Sequence, residues 1–146
     1  MTTTYPERRL PAHVHAIDVH ARYAAMGLLR TKLASALRML LESGVPDPVG
    51  LDPREIAELL TALTFTLVDA DTSPELFQSD PPMAYMPIGG LELAVQVLRR
   101  TGACVQSGVL AVPDIPAAAD RDAFGQSYLD VADATQHMVE QIRETA

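Results

Sequence analysis

The sequence contains few of the residues that mark several common protein classes. Among its 146 residues there are one cysteine, one lysine, no tryptophan, three phenylalanines and four tyrosines. Because the single Cys104 cannot form an internal disulfide, nothing requires an oxidising compartment, and we expect a cytoplasmic protein. Hydrophobic residues still make up 48% of the chain and charged residues 21%. This balance is typical of a folded globular chain and predicts one domain over residues 1–146, with a flexible segment at residues 1–10.

Long apolar runs and concentrated positive charge are also missing. The first nine residues are polar, and the uncharged stretch at residues 101–113 is too short to cross a bilayer, so no membrane anchor is expected. The net charge of −8 divides into +3 over residues 1–43 and −11 over residues 44–146. The basic residues near the N-terminus are dispersed, whereas a phosphate backbone needs a basic face, so nucleic acid is not an expected partner.

Hydrophobic periodicity predicts an all-α protein, most simply a four-helix bundle. The first helix is predicted from Pro11 to Ser43. Its expected core residues recur at helical spacing and are Val14, Ile17, Ala21, Ala24, Leu28, Leu33, Leu37, Leu40 and Leu41. The second helix is predicted to begin at Asp52-Pro53, where Asp52 can cap and Pro53 suits the first helical position, and to end near Ala70. Its core face is Ile56, Leu59, Leu60, Leu63 and Leu67, widened by Thr61, Thr64 and Phe65.

The third predicted helix covers Leu91 to Val112 and has no charged residue beyond Arg100. Residues 105–112 also fit a short strand, so the choice between helix and strand stays open there. In the fourth helix the residues expected to point inward are Phe124, Tyr128, Val131, Thr135, Met138 and Ile142. The residues expected to point outward are Gln126, Asp130, Asp133, His137, Glu140 and Glu144. Asp130, Asp133, His137 and Glu140 share one face, and the hydrophobic stripe opposite it indicates a solvated surface.

A long loop is predicted between the second and third helices, over residues 71–90. It contains four prolines and no hydrophobic period, and loops of this length in compact domains are usually functional. Met and aromatic side chains can adapt to an apolar ligand or a partner surface. The candidate ligand-binding residues in this loop are therefore Phe77, Met83, Tyr85 and Met86.

Three histidines, His13, His15 and His20, lie near the start of the first predicted helix. His13 and His20 are about 10 Å apart along a helix, too far to share one ion, and His15 points elsewhere. No metal is expected unless another helix supplies a ligand. His20 is the candidate general base, with Asp69 or Asp71 as its acidic partner, because imidazole titrates near neutral pH.

Two functional hypotheses follow. The first is a binding or accessory protein whose apolar pocket or partner surface is covered by the 71–90 loop. Such a protein would bind an apolar small molecule or a protein, and would form a homodimer through the uncharged third helix or through part of the first. The second is a small enzyme that uses His20 with Asp69 or Asp71 for proton transfer on an apolar substrate. Neither hypothesis requires a cofactor.

Overall fold

The computed structural model describes residues 14–42, 53–73, 83–110, 112 and 117–144. These residues form four helices and two short strands, which confirms the predicted all-α four-helix bundle. In chain order the elements are β1 (Val14–Asp18), α1 (Val19–Glu42), α2 (Pro53–Thr72), β2 (Met83–Pro87), α3 (Ile88–Ser107) and α4 (Ala118–Glu144). The N-terminal segment 1–10 and the proline-rich residues 74–82 lie outside this description.

The first helix begins later than the sequence indicated. Val14–Asp18 is a strand, and α1 starts at Val19. Asp18 caps the helix, because its Oδ1 accepts a hydrogen bond from the Ala21 backbone N–H at 3.0 Å. The predicted helical start is therefore wrong over residues 14–18. Pro11, predicted as the first helical residue, lies outside the described residues.

This later start changes which residues of α1 are buried. The predicted core residues Ala21, Ala24 and Leu28 are exposed, with Leu28 at 51%. The buried residues of α1 are Val19, Met26, Leu29, Leu33 and Ala36, of which only Leu33 was predicted. The prediction assigned Val14 and Ile17 to the helix. Because both belong to a strand, the helical spacing counted from them displaced the predicted apolar stripe around the axis of α1.

The two strands pair with each other and give the 71–90 loop more structure than predicted. β1 and β2 are antiparallel, with Val14 opposite Pro87 and Asp18 opposite Met83. The predicted loop is therefore wrong at both ends. Asp71 belongs to α2, Met83–Pro87 is a strand, and Gly89 and Gly90 lie in the first turn of α3.

α3 is the central helix of the bundle. Its most extensive contact is with α4, and it also contacts α1 and α2. Its buried residues are Ile88, Leu91, Ala94, Val95, Val97, Leu98, Thr101, Gly102 and Val105. Much of the apolar surface that suggested a dimer through this helix is thus covered within one chain, and the homodimer stays a prediction.

The open choice at residues 105–112 is settled for the described part of that segment. α3 continues to Ser107, and Gly108 then adopts the left-handed conformation, with φ of 83°. The Gly108 N–H donates to the Val105 carbonyl at 3.2 Å, and the Leu110 N–H donates to the Cys104 carbonyl at 3.0 Å. Residues 105–107 are helix and 108–110 form a turn.

α4 runs antiparallel to α3, with its predicted faces confirmed. Arg143 pairs with Glu92 at 2.7 Å and Asp133 with Arg99 at 3.3 Å, so the two helices run in opposite directions. The residues predicted to point inward from Tyr128 to Ile142 are buried, and Phe124 is half-buried. All six residues predicted to point outward are exposed.

One buried hydroxyl group in α3 supports a stability prediction. Thr101 is fully buried, and its Oγ1 has no hydrogen-bond partner among the described residues. We expect Thr101→Val to leave the free energy of unfolding unchanged or to raise it by up to about 1 kcal/mol, because it removes an unsatisfied polar group without changing shape. Urea denaturation measures this change.

Thr64→Val is the matched control, because the Thr64 hydroxyl donates to the Leu60 carbonyl at 2.8 Å. We expect this control to lose about 0.5–1 kcal/mol. A loss of that size in Thr101→Val would contradict the prediction, since it would mean that the Thr101 hydroxyl is satisfied in solution.

Candidate binding groove between the first two helices

A groove lies between α1 and α2 on the solvent side of the bundle. α1 ends at Glu42 and α2 begins at Pro53, and the ten residues between them are too few for α2 to run alongside α1 in the same direction with the groove residues side by side. The two helices are therefore antiparallel, so Tyr23 near the start of α1 lies beside the end of α2, and Arg30 lies beside Thr64. The groove has a volume of about 340 Å³. It is lined by Tyr23, Gly27 and Arg30 of α1 and by Thr64, Leu67, Val68, Asp71 and Thr72 of α2.

Opposite charges occupy the two ends of this groove. Arg30 and Tyr23 are seven residues apart on α1, or about 10 Å along the helix, and Asp71 lies at the Tyr23 end. Arg30 is half-buried and Asp71 is exposed. Within the described part of the chain, neither side chain has a hydrogen bond or an ion pair. The groove therefore presents an unpaired guanidinium at one end and an unpaired carboxylate at the other.

Exposed apolar side chains are concentrated on the two helices that form the groove. Phe65 is 64% exposed, Val68 48% and Tyr23 38%. Of the six large apolar side chains that are exposed among the described residues, five belong to α1 or α2: Tyr23, Leu28, Leu41, Phe65 and Val68. Single exposed apolar residues are normal, but their concentration on one pair of helices is characteristic of an interaction surface.

The predicted catalytic residues are placed differently from one another. His20 lies in the first turn of α1 and is exposed, Asp69 is half-buried, and Asp71 lines the groove. Within the described residues, His20 hydrogen-bonds to neither aspartate and does not line the groove. In one continuous helix His20 would lie on the side of Ile17 and Ala24 and would reach the edge of the core, but Ile17 belongs to β1 and Ala24 is exposed. The sequence thus identified one groove residue, Asp71, among its three candidates.

The predicted ligand-binding residues lie on or before β2. Met83 is half-buried and pairs with Asp18 of β1. Tyr85 pairs with Ala16, and Met86 with His15, through the strand backbone. Phe77 lies outside the described residues. The structure therefore places three of the four candidates on one strand and does not test their contact with a ligand.

A polar cluster joins α1 to α4, and it was not predicted from the sequence. The Lys32 Nζ donates to the Ser127 Oγ at 2.7 Å and lies 4.6 Å from the centre of the Tyr128 ring. The Tyr128 hydroxyl and the Ser35 hydroxyl hydrogen-bond at 2.5 Å. Phe124 contacts Tyr128 edge-to-face, with ring centres 5.3 Å apart. The available signal was Lys32 itself, the only lysine in the chain.

Partial burial perturbs both titratable groups of this cluster. Desolvation lowers the pKa of Lys32. Burial also raises the pKa of Tyr128, and the hydrogen bond from Ser35 partly opposes that increase. The ammonium above the aromatic rings and the neutral phenol between the helices form a structural link between α1 and α4.

The histidines and acidic residues form no metal site in the described part of the chain, where no group of three or more His, Cys, Asp or Glu side chains is suitably placed. His13 lies outside that part. The imidazole of His15 is half-buried, and its Nδ1 has no hydrogen-bond partner among the described residues. On α4, Asp133 pairs with Arg99 and His137 contacts Gln141 at 3.2 Å, as expected of a solvated face.

Comparison with known proteins adds no family to this geometry. No protein-family model matches the chain, and no curated protein or solved structure is detectably similar to it. Among the described helices, none has an apolar stretch sufficient to span a lipid bilayer. The function must therefore be argued from the groove and its surroundings.

Proposed function

We propose that this protein is a small helical binding protein and that its working surface is the α1–α2 face, defined by the groove and the exposed residues Phe65 and Val68 beside it. The observation that carries the proposal is the concentration of exposed large apolar side chains on these two helices. A surface with this many exposed apolar side chains, and with a charge at each end of its groove, is suited to binding a partner.

A protein partner suits this face better than a small molecule. The groove volume of about 340 Å³ is near the lower end of the range for ligand pockets, roughly 300–1,000 Å³. Phe65 is 64% exposed and does not line the groove, and Val68 is 48% exposed, so a ligand held only within the groove would leave Phe65 and part of Val68 in water. A partner surface that also covers the rim would bury both side chains. Buried aromatic residues supply much of the binding energy at protein interfaces.

The enzyme hypothesis gains no support from the geometry. A general base acts within hydrogen-bond reach of the proton it removes, usually where water is excluded. His20 is exposed and does not line the groove.

We propose that the expected homodimer also forms through the α1–α2 face. Because much of the apolar surface of α3 is covered within the chain, a second copy would dock against α1 and α2. The cytosol is the proposed compartment, since a chain whose single cysteine is Cys104 has no internal disulfide to maintain.

Site-specific photocrosslinking tests the binding function. We would replace Phe65 with a benzophenone amino acid in the full chain and irradiate cells that produce it. A protein adduct is expected, because position 65 would lie inside the interface. The matched control places the same probe at Glu140, an exposed position on α4, where no adduct is expected. No adduct at position 65, or the same adducts at both positions, would contradict the proposal.

A further inference from the structure

We propose that the partner bound by the α1–α2 face is a second copy of this chain, related by a two-fold axis that passes through the groove near Gly27. This inference rests on the proposed binding function and gives its partner an identity. Three features of the face support it: the arrangement of its charges, the absence of other partners for those charges among the described residues, and its apolar centre.

The charges are arranged so that the face is complementary to itself. Arg30 lies at one end of the groove and Asp71 at the other, with Gly27 between them on α1. A two-fold axis perpendicular to the groove exchanges its ends, because symmetric interfaces bring each residue i against residue j and each j against i. Arg30 of each copy then faces Asp71 of the other. One interface would contain this ion pair twice.

Both charges are available for such a pair. Within the described residues, neither Arg30 nor Asp71 has an ion-pair partner in its own chain. Arg30 is half-buried, so its guanidinium has already lost part of its water without gaining a carboxylate. Pairing across an interface compensates for that lost hydration and fixes the register of the two copies.

The centre of the face allows close apolar contact. Val68 lies between the two charges, Tyr23 lies at the Asp71 end, and the exposed Phe65 is three residues from Val68 on α2. At Gly27, no heavy atom lies within 4 Å of the position that a Cβ would occupy, so a neighbouring helix can approach the α1 backbone there. This arrangement resembles the usual interface pattern, in which an apolar centre is bordered by polar and charged groups.

The α1–α2 face is large enough to supply most of the area that a standard dimer interface buries. α2 has 20 residues and α1 has 24, so the pair is at least about 30 Å long and, at about 10 Å per helix, about 20 Å wide. The projected area is on the order of 600 Å², before the relief of the side chains is added. Standard interfaces bury about 800 Å² on each partner, so α1 and α2 can supply most of what is needed.

Charge exchange at the two ends tests this arrangement in the purified full chain. Sedimentation equilibrium should show a dimer for the wild type at micromolar concentrations. Arg30→Asp and Asp71→Arg should each weaken dimerisation by at least about tenfold, since either change places two like-charged contacts in the interface. The double variant should recover the wild-type affinity to within about threefold, and Glu140→Arg, on α4, should change nothing.

Mixing the two single variants gives a stricter result. The carboxylate introduced at position 30 meets the guanidinium introduced at position 71, and the native Arg30 of one variant meets the native Asp71 of the other. The mixture should therefore form a heterodimer although each variant alone is mostly monomeric. Recovery in the mixture also shows that neither variant had unfolded.

Two results would overturn the inference: a wild-type chain that stays monomeric at micromolar concentrations, or a dimer that is indifferent to all these changes. A monomeric chain that still crosslinks to another protein through position 65 would contradict self-association alone. A monomeric chain with no adduct at position 65 would contradict both the dimer and the proposed binding function.

Discussion

Tyr128→Ala is expected to lower the free energy of unfolding by about 3–5 kcal/mol, because it removes a large, fully buried aromatic side chain between α1 and α4. The loss combines three effects. A cavity is left in the core, the edge-to-face contact with Phe124 disappears, and Lys32 loses the ring beneath its ammonium group. Urea denaturation at fixed protein concentration measures the change.

Tyr128→Phe is the matched control, since it keeps the ring and removes only the hydrogen bond to Ser35. Its expected cost is about 1 kcal/mol, because one partner of a single neutral hydrogen bond is lost. Equal losses in the two variants would contradict the prediction, since the hydroxyl and not the ring would then carry the effect.

The pH dependence of stability distinguishes the contribution of the Tyr128 hydroxyl from that of its ring. Burial raises the pKa of Tyr128, so the neutral phenol stabilises the native state at neutral pH. That contribution is lost as the pH rises from the ordinary tyrosine value, about 10, through the higher native pKa. Lys32 acts in the opposite direction, because burial lowers its pKa and the native state gains stability as the ammonium deprotonates. The difference in the free energy of unfolding between the wild type and Tyr128→Phe isolates the contribution of the Tyr128 hydroxyl. Above pH 10 the variant should lose less stability than the wild type.

The helices could be predicted from the sequence because their signals are local. The spacing of Ile56, Leu63 and Leu67 gave α2 its core face, and Asp52-Pro53 gave its start to within a residue. The outward row of α4 was predicted correctly for the same reason, since an exposed and a buried stripe repeat over seven turns. Such signals need no knowledge of what lies across the fold.

The strands could not be predicted, because each is defined by its partner. Val14 and Ile17 are three residues apart, which suits a helix as well as a strand, and β2 lies almost 70 residues later, in a segment read as loop. The error then spread along α1, where the inferred face included Leu28, which is exposed, and omitted Met26 and Leu29, which are fully buried. The position assigned to His20 depended on the same misplaced face.

The groove could not be predicted from the sequence for a related reason. Arg30 and Asp71 are 41 positions apart, and only the antiparallel packing of α1 on α2 places them at the two ends of one surface. Nothing in either helix alone distinguishes Arg30 from the other dispersed arginines. Residues that act together across a fold are identified only once the packing of the helices is known.

Gly125→Ala and Gly102→Ala are each expected to destabilise the protein by about 1–3 kcal/mol, although alanine is the better helix former. The two glycines allow α3 and α4 to approach closely. A Cβ on Gly125 would lie 2.7 Å from the Gly102 carbonyl oxygen, and a Cβ on Gly102 would lie 2.8 Å from the Gly125 carbonyl oxygen. Both obstacles are backbone atoms, so they can be relieved only by separating the helices.

Gly89→Ala is the matched control, because Gly89 also lies within a helix, α3, but a Cβ there would meet no atom of another element within 4 Å. This change should raise the free energy of unfolding by about 0.5–1 kcal/mol through helix propensity alone. The double variant at positions 102 and 125 should lose less than the sum of the two single losses, since one separation of α3 from α4 accommodates both methyl groups. If all three single variants are stabilised in urea denaturation, α3 and α4 do not cross at these glycines, and the close contact described between them is wrong.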